Sequence, residues 1–95
     1  MIVTNITNRD QAYVMAFYRI SKGEDFFHQS LRGRYLPSDL AERFSVVSSK
    51  LADAGVFKRL PALGLLTIPS RQRYKLTEAG VELAKSLVSS SQDRR

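Results

Sequence analysis

Arg71, Arg73 and Lys75 stand at alternate positions of the chain. In an extended segment that spacing puts three cations on one side, where they can follow a phosphate backbone. Lys58 and Arg59 add two more, and Arg32 and Arg34 are a further pair of phosphate ligands. A third group is Arg43, Ser45, Ser48, Ser49 and Lys50. Its arginine suits a phosphate, while serine hydroxyls and a lysine ammonium can donate to base edges in a groove. The plainer alternative for the alternating cations is a solvated edge strand defended by charge. For the serine-containing group it is the wet face of an amphipathic helix, and the nearby Glu42 and Asp53 favour that alternative because carboxylates repel phosphates.

Other chemistries find no residues to carry them. The chain has no cysteine, so disulfides, zinc–thiolate sites and thiol catalysis are excluded. His28 is the only histidine and has no clustered carboxylates or thiolates to join it, so no metal site and no cofactor are expected. No Gly-x-Ser-x-Gly elbow and no glycine-rich phosphate loop occurs, and no enzymatic function is expected. No apolar run reaches the about 18 residues of a membrane span. Met1 to Asn5 lack the basic and apolar segments of a secretion signal, so the expected location is the cytoplasm, without membrane association.

The net charge of the 95 residues is +6, unevenly spread. Residues 1–54 hold seven Lys and Arg against six Asp and Glu, whereas residues 55–95 hold eight against three. A one-sided basic charge of this kind is the electrostatic footprint of a polyanion partner.

Hydrophobic periodicity places these residues on elements. A first helix starts near Asn8, with Asn8 as N-cap and Gln11 completing a capping-box pattern. It carries Tyr13, Phe17 and Ile20 at helical spacing with Val14, Met15 and Tyr18 beside them, and Lys22-Gly23 ends it. Its apolar surface is broader than one stripe, so it is either central to the fold or shared with another subunit. Phe26, Phe27 and Leu31 fit the inner side of a short second helix over residues 25–31. Leu40, Phe44, Val47 and Leu51 follow a 4-3-4 spacing after Ser38. They allow one helix from Ser38 to Ala54, or two broken near Ser45; the single long helix is the preferred reading. Val56 to Leu60 reads as a strand, Pro61 to Pro69 as an apolar loop or strand, and Arg73 to Leu76 as a half-buried strand. Thr77 caps a last helix bearing Val81, Leu83, Ala84, Leu87 and Val88, and the polar residues 89–95 read as a disordered tail after an ordered core of residues 8–88.

The expected class is mainly α with a small β-hairpin (α+β). Two stretches resemble the winged helix-turn-helix regulators of the MarR-like and PadR-like families. Val47-Ser48-Ser49-Lys50-Leu51-Ala52-Asp53-Ala54-Gly55-Val56-Phe57-Lys58-Arg59 is similar to the end of a recognition helix, its Ala-Gly stop and a first wing strand. Arg73-Tyr74-Lys75-Leu76-Thr77-Glu78-Ala79-Gly80 is similar to a second wing strand running into the following helix. The resemblance spans about residues 36–88 and implies a single winged-helix domain with three helices, a two-stranded wing and a C-terminal helix. It also implies a homodimer that binds double-stranded DNA site-specifically and acts as a repressor-like transcriptional regulator, with the third helix in the major groove and the basic wing on phosphates. The segment Leu63 to Ile68 is more apolar than the wings of those families, which leaves open a protein-interaction module. Non-specific, architectural or plasmid-segregating DNA binding is a further alternative. Dimer contacts are expected from the first helix, the last helix or the Leu63–Ile68 segment.

Overall fold

The computed structural model describes residues 6–93, with side chains through residue 89. The element order is α1 (Asn8–Ser21), β1 (Phe26–Phe27), a 3-10 turn (His28–Leu31), α2 (Ser38–Phe44), α3 (Ala54–Ala62), β2 (Leu66–Ser70), β3 (Arg73–Leu76) and α4 (Glu78–Asp93). The fold is α+β: helices packed with a small antiparallel sheet of order β1-β3-β2, which includes the β2–β3 hairpin.

Helix α1 is the centre of the molecule. Ala12 through Phe17 are all buried, and α2, α3 and α4 all pack against this helix. Its broad apolar surface is therefore consumed inside the chain. Its cap is Thr7, one residue before the expected Asn8. The Thr7 hydroxyl accepts from the Asp10 amide, and the Asp10 carboxylate accepts from the Thr7 amide. This reciprocal box satisfies two amide donors that the helix itself cannot. Lys22 in the left-handed region and Gly23 close the helix as expected.

The middle of the chain departs from the periodicity. Residues 26–31 form a two-residue strand and a 3-10 turn instead of a second helix. The helix begun at Ser38 stops at Phe44, with Ser45 left-handed at φ 57°. Residues 45–53 then run as a loop. Val46, Val47, Ser48 and Ser49 explain the stop, because β-branched side chains lose rotamer freedom in a helix and serines bond competing backbone groups. The Ser48 hydroxyl donates to the Leu36 carbonyl, the Leu36 amide donates to the Ser49 carbonyl, and Tyr35 and Lys50 form an isolated antiparallel bridge. Val47, assigned to the core by its spacing, is 82% exposed.

Ala54-Gly55 consequently opens a helix instead of ending one. Asp53 is its N-cap, accepting from the Gly55 and Val56 amides at 2.7 and 3.2 Å. Val56 and Leu60, read as strand residues, lie one turn apart on the buried face of α3. The first strand of the hairpin is instead β2, drawn from the apolar Pro61–Pro69 stretch. Leu65 and Leu66 are buried, so this stretch packs on the core and leaves Ile68 exposed.

From β3 through residue 88 expectation and structure agree. Tyr74 and Leu76 face the core while Lys75 is exposed, and Thr77 caps α4 through its bond from the Gly80 amide. Helix α4 continues through Asp93, so residues 89–93 extend it where a disordered tail was expected; residues 94 and 95 lie outside the described residues. No described helix is long and apolar enough to cross a membrane.

Candidate nucleic-acid interface

The cations expected to bind phosphate fall into three structural situations. The first is engagement inside the protein. Arg59 lies on α3, not on a wing strand, and its guanidinium donates to both oxygens of buried Asp10, from Nε at 3.1 Å and from the terminal nitrogen at 2.7 Å. Burial pushes the Asp10 carboxyl up, but the Arg59 guanidinium and the Thr7 amide more than offset this, so it sits below the usual carboxylate range. Arg43 donates to the Leu87 carbonyl at 2.8 Å and lies over the Phe44 ring, tying α2 to α4. Arg73 donates from Nε to Asp25 at 2.8 Å and lies over the Phe27 ring, 5.9 Å from its centroid. These three arginines hold elements together.

The second situation is α3 and the hairpin. Lys58 is exposed on α3, Arg71 is exposed in the two-residue turn between the strands, and Lys75 is exposed on the outer side of β3 opposite Thr67. None of the three is in an ion pair among the described residues. The turn is tight: Gln72 takes φ 59°, and the pairing slips between Thr67 and Ser70, so the hairpin carries an irregularity just before its tip.

The third situation is the loop pair before and after α2. Arg32, Arg34 and Lys50 line one open cleft of about 400 Å³, and none has an ion-pair partner among the described residues. Lys58, Arg71 and Lys75 do not line it.

The three serines lie in the 45–53 loop, not on a third helix. Ser45 caps α2, Ser48 is bonded to the Leu36 carbonyl, and Ser49 shares a 2.7 Å hydrogen bond with the Tyr13 hydroxyl. Ser48 and Ser49 spend their hydroxyls on shaping the loop, whereas Ser45 caps α2 through its backbone amide. Asp53, which looked unfavourable to a phosphate partner, caps α3 with one oxygen and accepts from Arg9 at 2.8 Å with the other. Burial raises its carboxyl, and the Val56 and Gly55 amides with Arg9 bring it net below the usual range. The start of α3 therefore carries a neutralised carboxylate. Periodicity gave no sign of this; an aspartate followed by Ala-Gly and an i, i+4 apolar pair was the available signal.

Aromatic residues bind the hairpin to α3. Phe57 stacks on Tyr74, and the Phe17 and Phe26 rings extend the cluster to α1 and β1. His28, half-buried, lies at the edge of this group, its ring 6.1 Å from that of Phe57 and its Nδ1 3.4 Å from the Tyr74 hydroxyl. Burial pushes the Tyr74 phenol up.

Compared with known proteins, the chain matches no family model, no curated protein and no solved structure.

Proposed function

We propose that the chain is a winged-helix domain that binds double-stranded DNA, with α3 as the helix presented to the major groove and the β2–β3 hairpin as a basic wing over phosphates. The observation that carries this reading is the set of cations without ion-pair partners on those two elements: Lys58, Arg71 and Lys75. The element order supports it, since a two-helix unit over α2 and α3 is followed directly by a hairpin. So does the N-terminal turn of α3, where Ala54 and Gly55 are exposed, small and preceded by a carboxylate already engaged by Arg9. Recognition helices enter a groove by their N-terminal residues, and small residues there permit close approach.

The protein acts by binding and not by catalysis in this reading, and as a homodimer it reads two half-sites about one helical turn apart. The half-buried Leu83, Leu87 and Val88 of α4 are apolar residues available for the dimer contact, as is exposed Ile68. A repressor-like role in transcription follows if binding is sequence-specific. The protein-interaction alternative draws on an apolar wing; Leu65 and Leu66 of that segment are buried, while Ile68 is exposed.

Fluorescence anisotropy with a random-sequence duplex at several salt concentrations tests the reading. The expected result is binding that weakens steeply with salt, with the slope falling by about 0.9 for each phosphate contact removed when Lys58, Arg71 and Lys75 are replaced by alanine. Absence of binding at low salt would overturn it. Selection from a random library then separates site-specific from architectural binding, and sedimentation fixes the oligomeric state.

A further inference from the structure

Two open clefts lie side by side where the segment before α2 meets the segment before α3. The first, of about 400 Å³, is lined by Arg32, Arg34, Tyr35 and Lys50. The second, of about 550 Å³, is lined by Ala16, Ile20, Pro37 and Leu51 together with Arg19. Arg34 and Tyr35 line both. Both volumes fall in the range of small-molecule sites, about 300–1,000 Å³.

The walls are fixed from inside. Tyr35 is bridged to Lys50, and the Leu51 amide donates to the Arg34 carbonyl at 3.1 Å. The fully buried Tyr13 of α1 donates its hydroxyl to the Lys50 carbonyl at 2.8 Å. The backbone that carries the cations is thereby tied to the central helix, so its placement costs a ligand little ordering. The Tyr35 ring is 56% exposed, although its backbone is held on both sides.

The two linings differ in chemistry. One cleft offers three cations and no carboxylate, which suits a multiply charged anion better than a single carboxylate. In the other, Arg19 is paired with Asp39 at 2.7 Å and Arg34 enters from the divide, so the lining combines an aliphatic wall, guanidinium groups and the Tyr35 ring. An anionic group joined to a flat ring with stackable faces and a polar edge matches both. We propose that these clefts bind a free nucleoside phosphate, with the phosphates among Arg32, Arg34 and Lys50 and the base in the second cleft between Tyr35 and the aliphatic wall. A duplex backbone would need a continuous basic track, and it would leave the aliphatic wall of the second cleft unused. This site uses none of Lys58, Arg71 and Lys75 and does not depend on the DNA-binding reading.

Isothermal titration of the full chain with ADP, adenosine and pyrophosphate tests the proposal. ADP is expected to bind at least tenfold more tightly than either fragment. R32A/R34A is expected to lower ADP affinity more than tenfold. Y35L, a change at an exposed ring, is expected to weaken ADP several-fold while leaving pyrophosphate unchanged. K58A/R71A is expected to retain ADP affinity whether or not it loses DNA, which separates this proposal from the previous one. Circular dichroism confirms that each variant is folded. Pyrophosphate binding as tightly as ADP would overturn the proposal, since the second cleft would then contribute nothing. So would no ADP binding at millimolar concentration, or a short single-stranded oligonucleotide binding through the same residues where ADP does not.

Discussion

The Phe57 ring lies over the Tyr74 ring, with centroids 4.3 Å apart and planes 4° from parallel. This contact joins α3 to the middle strand of the sheet, so it is one of the contacts that orient the helix against the hairpin. Stacked rings contribute about 1 kcal/mol beyond the area they bury. Phe57→Leu and Tyr74→Leu are each expected to lower thermal stability, and the double variant to lose less than the sum of the two. Strict additivity in that cycle would show that the rings do not interact.

Stability should fall in acid with a sign set by three aspartates. Asp10, Asp39 and Asp53 all have carboxyls held below the ordinary value of 3.8. For Asp10 and Asp53, burial opposes the shift and is outweighed by their hydrogen bonds; for Asp39 the Arg19 guanidinium is the main cause. A depressed folded-state value stabilises the folded form above the unfolded value, and that contribution is lost as pH falls through the folded one. Urea unfolding is therefore expected to change little between about pH 7 and 5 and to weaken steadily below about pH 4. Asp10→Asn, which removes the charge that Arg59 and the Thr7 amide hold, is expected to cost about 2 kcal/mol at neutral pH. It should also make the acid decline shallower. An unchanged decline would assign the effect to other groups.

What the sequence made legible were the two ends of the fold. The Lys22-Gly23 stop, the alternation at Tyr74 and Leu76, and Thr77 as a cap are local signals, decided by residues a few positions apart. The middle is not legible because its deciding contacts are distant. Val47 fits a helical spacing perfectly, yet Ser48 and Ser49 exchange helix geometry for bonds to Leu36 and Tyr13, far along the chain. The same loss of locality governs the cations. Composition marks Arg59 and Arg73 as equal to Lys58 and Arg71, and only the fold brings Asp10 and Asp25 against the first two.

Gly80 is a position where the sequence motif gives no hint of its constraint. It is buried in the first turn of α4, and a β-carbon there would run into the Leu65 carbonyl oxygen, a backbone atom that cannot swing aside. Leu65 is itself held, since its carbonyl accepts from the Thr77 amide. Gly80→Ala would raise helix propensity on an open helix, so propensity alone predicts stabilisation. Overpacking is expected to win here, destabilising by about 1–3 kcal/mol. A higher melting temperature in the variant would mean that α4 can shift away from Leu65.

Arg71 and Arg73 flank a single glutamine in the sequence, and they should nevertheless answer differently to substitution. Arg73 is shared between Asp25 and the Phe27 ring, so on the outer side of the sheet its charge is balanced and its side chain fastens β1 to β3. Arg71 has no such partner among the described residues. Arg71→Ala is expected to leave stability unchanged and to lower the salt slope of duplex binding by about 0.9. Arg73→Ala is expected to cost no more than about 1 kcal/mol of stability, as half-exposed pairs do, and to change the salt slope less than Arg71→Ala. Anisotropy titrations of the two variants side by side at two or more salt concentrations read this directly. Equal losses of slope would mean that Arg73 leaves Asp25 for a phosphate on binding; a loss only in Arg73→Ala would remove the hairpin tip from the interface.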